Sequence, residues 1–282
     1  MSNRVPATKV FSSEREIVVG VDGSRYSKDA VTWAVHEAKL REAVLRPVCV
    51  APIGSDLDFD WTVGDSLAES QKMVDQAVEA AEAIDPTVVV RGEVLVGPVA
   101  ETLMAASEVT DLLVVGARGA GTLSEILLGS VSRACAREAR CPVVIVHELA
   151  QPAIAGSTSR IVVEVGEGRD SDALHWAIEE AALRSALVEG VRFTSSGTQH
   201  LAGGGLFASR ARRVSTVDAL LEACHGADLL VLPEVALEGT HEQGVGSLLR
   251  RCVHVAPCPV VVVGPSTSRV EATDPGRCDS DA

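Results

Sequence analysis

Two glycine-rich segments in the first half of the chain have the composition of phosphate-binding loops. Residues 116–119 read Gly-Ala-Arg-Gly, and after nine further residues positions 129–132 read Gly-Ser-Val-Ser. Glycines let a backbone approach a phosphate closely and present its amides. The second segment opens a predicted helix, whose unpaired first amides and positive dipole end attract anions. Arg118 can add a charge-assisted hydrogen bond. The glycines, the helix start and this arginine together predict a phosphate site.

A third segment with suitable chemistry is Gly-Val-Asp-Gly-Ser at 20–24, directly after the first predicted strand. Loops at the carboxyl ends of parallel strands border the crevice in which such sheets bind ligands. At this turn the carboxylate of Asp22 could accept hydrogen bonds from an adenine or a ribose, or hold Mg²⁺ through water. The competing interpretation is that the glycines only form turns and pack a helix on a strand. The full spacing together with Asp22 favours ligand binding.

The elements that must position these segments alternate between strand and helix. The predicted strands, apolar and rich in β-branched residues, cover 17–21, 45–50, 87–96, 112–115 and 143–147. Helices are predicted at about 28–41, with Ser27 as N-cap, and at about 66–84, 98–109 and 129–139. This alternation predicts an α/β fold with a doubly wound parallel sheet and right-handed crossovers.

The second half of the chain repeats the first. Residues 111–146 align without a gap on 228–263, and fifteen of the 36 positions are identical. The sequence therefore predicts two domains, 1–150 and 151–282, joined by a polar linker at 150–159. The start of the chain and the residues from about 266 are expected to be disordered. The second copy lacks the helix at 66–84, and 195–209 are expected to replace it with a loop.

The last predicted strands of the two copies, at 143–146 and 260–263, are both β-branched and both end a sheet. Exposed strand edges of this kind invite pairing. The linker is long enough to bring the two edges together without strain. We therefore expect the two copies to pack as an intramolecular pseudo-dimer along these strands.

Composition argues against several classes of partner. The formal net charge is −14, from 25 basic and 39 acidic residues, and such a field opposes nucleic acid and anionic membrane surfaces. We find no signal-peptide pattern and no apolar run of the length of a membrane span. Seven cysteines in such a chain indicate reduced thiols and a cytoplasmic location. Cys135 and Cys141 recur as Cys252 and Cys258, at a spacing that favours buried thiols over a zinc site.

The spacing of 116–119 and 129–130, with Val115 before it and Val-Asp-Gly-Ser at 21–24, resembles the ATP-binding class of universal stress proteins. The resemblance covers both repeats. It implies a five-stranded parallel sheet with helices on both faces in each repeat, the architecture of the adenine nucleotide alpha hydrolases. It also implies dimerisation through the last strand, within the chain or as a homodimer.

The same resemblance implies ATP as the ligand, with Mg²⁺ as its counterion. It assigns the nucleotide site to Gly20, Val21, Asp22, Val48, Val115, Gly116, Arg118, Gly119, Gly129, Ser130, Val131 and Ser132. Within this set, adenine and ribose are expected near Asp22, Val48 and Gly116. The phosphates are expected against Arg118, Gly119 and residues 129–132.

The second repeat departs from this pattern. Pro233, Val235 and Ala236 stand at the places of loop residues 116, 118 and 119, and Gly166 stands at the place of Asp22. Proline has no amide to offer, and acidic residues nearby would repel a phosphate. We therefore expect nucleotide binding in the first repeat only.

Other candidate sites in the sequence are weaker. Asp56, Asp58 and Asp60 alternate as in a calcium loop, but Trp61 and Leu67 occupy the positions where that loop has glycine and glutamate. A solvated acidic loop is the better interpretation. We find no motif that sets a nucleophile beside a base, and no Walker lysine.

Two functions of different classes fit these observations. One is a regulatory module that holds ATP as a signal in a stress or growth-state response. The other is an enzyme that hydrolyses ATP slowly or transfers a phosphoryl or adenylyl group. Because no motif places a general base, the sequence favours binding without chemistry.

Overall fold

The computed structural model describes residues 14–52, 63–108, 110–120, 128–147, 159–165, 172–193, 200–202, 210–214, 216–234 and 247–265. The two ends predicted to be disordered, the linker up to residue 158 and the acidic loop at 56–60 lie outside these residues. Gly166, Val235 and Ala236 lie outside them as well.

The described part of the first repeat alternates strictly between strand and helix. Its elements are β1 (Glu16–Gly20), α1 (Arg25–Arg41), β2 (Val44–Ala51), α2 (Val63–Ile84), β3 (Glu93–Val96), α3 (Val99–Ala106), β4 (Leu112–Gly116), α4 (Ser130–Glu138) and β5 (Val143–Val146). The alternating α/β pattern predicted from the sequence is confirmed.

The second repeat follows the same order with one replacement. Its elements are β6 (Arg160–Glu164), α5 (Asp172–Arg184), β7 (Leu187–Phe193), β8 (His200–Ala202), β9 (Arg210–Val214), α6 (Val217–Ala223), β10 (Leu229–Pro233), α7 (Ser247–Val255) and β11 (Val260–Val263). No counterpart of α2 occurs among its described residues. The segment 195–209, expected to be a loop, instead contains β8, which pairs antiparallel with β9 at the sheet edge. None of the described helices of either repeat is long and apolar enough to cross a bilayer.

Several elements of the first repeat begin at other residues than the sequence predicts, and for α1 and β3 the hydrogen bonds show why. α1 starts at residue 25 because Ser24, not Ser27, is its N-cap: the Ser27 amide donates to the Ser24 Oγ at 3.1 Å. β3 starts at residue 93 instead of 87. Asp85 accepts hydrogen bonds from the amide and the hydroxyl of Thr87, at 2.9 and 2.5 Å, and this holds the chain in a turn there.

All strands of the described chain belong to one 11-stranded sheet, in the order β3-β2-β1-β4-β5-β11-β10-β6-β7-β9-β8. Within each repeat every pairing is parallel except that of β8 with β9. The two halves meet where β5 lies antiparallel to β11, with Val144 opposite Val261. The sheets expected for each repeat are therefore joined edge to edge, along the two strands whose contact the sequence predicts.

Each face of this sheet carries one apolar core that passes from one repeat into the other. The core that packs against α1, α2 and α5 includes Ile17 and Ile161, and the core on the opposite face includes Val18 and Val162. All four side chains are fully buried. Because strands buried on both faces need small branched side chains, this architecture accounts for the scarcity of aromatic residues.

The cysteines of the described chain lie in these cores. Six of the seven are described, and all six are buried free thiols. Burial raises the pKa of Cys135 to about 12, so the thiol stays protonated at neutral pH. The prediction of buried thiols at Cys135 and Cys141 and at their counterparts Cys252 and Cys258 is confirmed.

Four charged side chains form a ring between α1 and α5. Within each helix an arginine bonds the glutamate one turn earlier: Arg41 Nε lies 2.5 Å from Glu37 Oε1, and Arg184 Nε lies 2.5 Å from Glu180 Oε1. Across the interface Arg41 pairs with Glu180, and Arg184 pairs with Glu37. Both glutamates are 1% exposed. Each glutamate thus pairs with both arginines. The four residues are two equivalent Glu-Arg pairs, one from each repeat.

Two tryptophans complete this contact. The guanidinium of Arg41 lies 5.8 Å from the ring centroid of Trp176, and that of Arg184 lies 5.8 Å from that of Trp33. Burial raises the pKa of Glu180 and repulsion from Glu37 adds to the rise, while the two arginines oppose it. The two arginines therefore offset part of the cost of burying two carboxylates side by side.

We predict that Arg184→Met lowers the free energy of unfolding at pH 7 by roughly 3 kcal/mol, because one arginine then faces two buried carboxylates. The loss should shrink as the pH falls and Glu180 takes up a proton, which removes the repulsion from Glu37. Urea unfolding of wild type and variant at pH 7 and pH 5 measures both effects.

The matched control for this substitution is Arg91→Met. Arg91 pairs with Glu14 at 3.0 Å, and both side chains are about half exposed. An exposed pair of this kind contributes about 0–1 kcal/mol. Equal losses for the two variants would contradict the proposed importance of the buried ring.

Candidate functional site

A cleft in the first repeat opens at the carboxyl ends of β1, β2 and β4. β2 lies on one side of β1 and β4 on the other. The loops that follow these strands therefore diverge and leave a crevice between them, as is usual where strand order reverses in a doubly wound sheet. The cavity has a volume of about 780 Å³, within the range of sites for small organic ligands.

The structure brings all twelve residues predicted from the sequence into this cavity. They are Gly20 and Val21 from β1 and its end, Val48 from β2, Val115 and Gly116 from β4, Asp22, Arg118 and Gly119 from the loops, and Gly129, Ser130, Val131 and Ser132 from the start of α4. Val48 lies opposite Gly20 in the ladder of β1 and β2. The sheet register thus fixes a position that the sequence alone leaves open.

One wall of the cavity comes from α2, which the sequence reasoning did not assign to the site. Ser66, Ser70 and Met73 of this helix line the cavity. The two serines are 6% and 5% exposed, and their spacing of four residues places both on one face of the helix. Two serines on the buried face of an amphipathic helix are the signal that could have identified this wall.

The cavity has an apolar end formed by β2, α3 and the last residues of β4. Val48, Val50, Leu103 and Val115 line it and are all buried. Cys49 lies beside them, and burial raises the pKa of its thiol. The thiol therefore stays protonated at neutral pH and does not supply a thiolate nucleophile. This end of the cavity suits a flat apolar group better than a charged one.

Asp22 ties the loop after β1 to the loop after β4. Its Oδ1 accepts a hydrogen bond from the Ser24 amide and its Oδ2 accepts one from the Ala120 amide, each at 3.0 Å. The Ser24 hydroxyl also donates to the carbonyl oxygen of Arg118 at 3.3 Å. The carboxylate therefore orients both loops at the mouth of the cavity. Among the described residues no group of three or more metal-ligating side chains is present, so a metal would contact Asp22 largely through water and ligand oxygens.

Gly116 is required by a close approach of two backbones. A Cβ at this position would lie 2.7 Å from the carbonyl carbon of Tyr26 and 2.9 Å from its Cβ. Such contacts are too short for any side chain. The glycine thus lets the end of β4 pack against the first turn of α1.

The start of α4 is fastened to the end of β4. The Gly129 amide donates to the carbonyl oxygen of Ala117 at 2.9 Å, and the Ser132 hydroxyl donates to that of Gly116 at 2.6 Å. Gly129 is the N-cap of α4 and makes no side-chain capping hydrogen bond. The first amides of a helix have no partner within it, so the start of α4 presents donors and a positive dipole end at the cavity.

Arg118 is held against Tyr26, the one tyrosine of the chain. Its Nη1 donates to the Tyr26 hydroxyl at 2.6 Å, and its guanidinium carbon lies 5.2 Å from the centroid of the ring. The charge of Arg118 is thereby kept at the same end of the cavity as the start of α4. Sequence reasoning missed Tyr26, which lies in the first turn of α1 and 92 residues from its partner.

Sequence comparisons with known proteins find universal stress proteins. A model of the universal stress protein family matches residues 14–147. Universal stress protein Rv2624c of Mycobacterium tuberculosis is 33% identical over 178 residues, which cover 61% of this chain and 62% of that protein. A universal stress protein of Mycolicibacterium smegmatis is 29% identical over 296 residues, covering 90% of this chain and 98% of the relative. The match to the first of these relatives thus spans less than two thirds of its length.

A solved structure has the same architecture over most of the chain. The crystal structure of a universal stress protein from Archaeoglobus fulgidus aligns with a TM-score of 0.68 and covers 89% of this chain and 96% of its own. Its sequence identity is 16%, so this likeness concerns the fold alone.

The second repeat carries different residues where the first has its cavity. Glu164 ends β6 at the position that Gly20 occupies at the end of β1, and Pro233 ends β10 where Gly116 ends β4. Glu164 is 6% exposed, and burial raises its pKa to about 7, with Arg192 acting in the opposite direction. A buried carboxyl group therefore occupies the strand end that is open in the first repeat. The alignment of the repeats contains this signal, but sequence reasoning compared the loop residues and did not consider the end of the first strand.

We predict that Glu164→Gln raises the free energy of unfolding at pH 8 by roughly 1–3 kcal/mol and leaves it unchanged at pH 4. The pKa of Glu164 is about 7 in the folded chain against 4.5 for an ordinary glutamate. Below pH 4.5 both states hold the proton, and the cost of ionising a buried group then grows as the pH rises to about 7. Urea unfolding between pH 4 and 8 measures the difference between variant and wild type.

Glu179→Gln, at an exposed position of α5, is the control and should leave the profile unchanged. A difference at Glu164 that is constant across this pH range would show that the amide acts by packing instead of by charge.

Proposed function

We propose that the chain belongs to the universal stress protein family, whose model matches residues 14–147, and that it binds one molecule of ATP in the cavity of the first repeat. We propose further that it acts as a regulatory module in a stress or growth-state response, in which occupancy by the nucleotide is the signal. The observation that carries this proposal is the polarity of the cavity. The end formed by β2 and α3 contributes buried apolar side chains, and the end formed by the loop after β4 and the start of α4 contributes loop amides and Arg118.

The two ends match the two parts of a nucleotide. A base of low polarity fits between Val48, Val50 and Leu103, with the serines of α2 as hydrogen-bonding partners. Phosphates fit against Arg118 and the start of α4, where donors and positive charge are concentrated. A Mg²⁺ ion bound to those phosphates would neutralise part of their charge and would be held by Asp22 through water. In this assignment the twelve residues predicted from the sequence form the site, and α2 adds a further wall.

The cavity offers little machinery for chemistry on the phosphates. Among its described lining residues there is no histidine and no lysine. Asp22 already accepts two loop amides, and Cys49 stays protonated at neutral pH. The remaining carboxylate, Glu69, is exposed on α2. Binding without fast turnover is therefore the function that these side chains support, and a slow hydrolase or transferase is the alternative that a turnover assay would reveal.

We assign the second repeat, 151–282, the role of an internal pairing partner for the first, 1–150. The support is the antiparallel ladder of β5 with β11 and the charged ring between α1 and α5. Because fusion makes this contact intramolecular, it persists at any concentration of the chain. β5 is occupied by β11, so a homodimer of the whole chain would need another surface.

We predict that isothermal titration of the full chain with ATP gives one site per chain. Pro233 offers no amide and Glu164 adds a buried carboxyl group at the corresponding strand ends, so the second repeat should not bind. Adenosine should compete for the same site, since its base would occupy the same apolar end. Two equivalent sites, or none, would contradict the assignment.

We predict that Gly119→Ala weakens ATP binding by roughly 1–3 kcal/mol. The added Cβ would lie 2.7 Å from Asp22 Oδ2, so the carboxylate must move and release the loop that it orients. Circular dichroism should be unchanged, because the cores lie elsewhere.

The control for this variant is Gly226→Ala, in a turn of the second repeat. A Cβ there would meet no atom within 4 Å. Because φ at this glycine is +72°, alanine adds backbone strain, and the variant therefore controls for the general cost of replacing a glycine. This control should bind ATP as wild type does. Unchanged affinity of Gly119→Ala would place the phosphates elsewhere in the cavity.

A further inference from the structure

The second repeat reaches the phosphate end of the first-repeat cavity through α7. Arg250, Val253 and His254 of this helix face Arg118 and Leu128 across a small crevice. The contact is polar at one point, where His254 Nδ1 lies 3.2 Å from Arg118 Nη2. A residue of the repeat that has lost its own loop pattern thus touches the arginine of the predicted site.

The chemistry of the two side chains fixes the direction of this hydrogen bond. An arginine guanidinium is always protonated and only donates. The Nδ1 of His254 must therefore accept, which requires the neutral imidazole with its proton on Nε2. The bond exists only while that nitrogen carries a lone pair.

Arg118 is held from two sides. Tyr26 of the first repeat accepts from Nη1 at 2.6 Å and presents its ring to the guanidinium, whereas His254 of the second repeat accepts from Nη2. A planar guanidinium bonded through both terminal nitrogens cannot rotate without breaking one bond. The side chain therefore stays in one orientation beside the start of α4, although it belongs to a surface loop.

We infer that His254 is a positioning residue of the nucleotide site, supplied to the first repeat by the second. This inference rests on the proposed binding of ATP in the first-repeat cavity. His254 contacts Arg118 and is not among the residues that line the first-repeat cavity, so its contribution concerns only the part of the ligand that Arg118 meets. Affinity for a triphosphate depends on the junction between the repeats, and affinity for the nucleoside does not.

The test compares ATP with adenosine on the full chain. His254→Leu keeps a branched side chain of similar reach but removes the acceptor, and we expect about 3- to 10-fold weaker ATP binding, the range for loss of one hydrogen bond. Adenosine should bind as to wild type. His254→Asn places an acceptor oxygen on the same γ-carbon as Nδ1 and should bind ATP within about twofold of wild type.

Two further variants separate positioning from folding. His175→Leu, at an exposed histidine of α5 in the same repeat, should leave both affinities unchanged. In an Arg118→Gln background, His254→Leu should cause no further loss, because its effect passes through the arginine. Circular dichroism and the thermal midpoint of each variant verify that the chain is folded.

The possible results distinguish the two proposals. If wild type binds no ATP, the proposed function and this inference both fail. If wild type binds ATP and His254→Leu binds it equally well, the inference alone fails. Equal weakening of ATP and adenosine, no recovery with His254→Asn, or an additive loss in the Arg118→Gln background would each overturn it as well.

Discussion

The antiparallel ladder between β5 and β11 determines where every contact between the two repeats can form. It centres on Val144 opposite Val261, so the two halves are related by an approximate two-fold axis through this pair. That relation brings α1 against α5 on one face of the sheet and sets α7 beside the loop after β4 on the other. It also satisfies the backbone groups of two edges that would otherwise be exposed. The continuous cores, the charged ring and the contact of His254 all follow from it.

Positions near the axis between the repeats and positions at the strand ends differ in how freely their residues can be substituted. Residues near the axis pair with the equivalent group of the other repeat: Glu37 pairs with Arg184, and Glu180 pairs with Arg41. A change on one side then leaves a buried charge on the other. The ends of β1 and β6 are separated by four strands of the sheet and do not contact each other, so Glu164 can occupy the position at which the first repeat has Gly20. This difference accounts for a symmetric interface beside strand ends that differ between the two repeats.

Sequence reasoning predicted the parts of the structure that local patterns specify. The alternation of elements, the strands that join the repeats and the loops at the ends of β1 and β4 all have signals within a few residues. Tyr26 and His254 could not be found in this way, because each contacts Arg118 across a long sequence separation, 92 and 136 residues. The α2 wall did have a local signal, the two buried serines of that helix, which sequence reasoning did not use. The start of α1 was wrong for a different reason: Ser24 and Ser27 are both good N-caps, and only the geometry decides that the first accepts from the second. Whether the twelve residues bind a nucleotide stays a prediction.

The carboxylate of Asp22 has a consequence for the speed of binding. Because its two oxygens already hold the Ser24 and Ala120 amides, an incoming ligand spends little free energy on ordering the backbone at these two residues. The rate of encounter is then governed by the long-range field, and a net charge of −14 repels an anionic ligand. Screening of that repulsion by salt speeds association, whereas the short-range contacts that set residence time respond much less. For an anionic ligand, ionic strength would therefore change the rate of association more than the residence time.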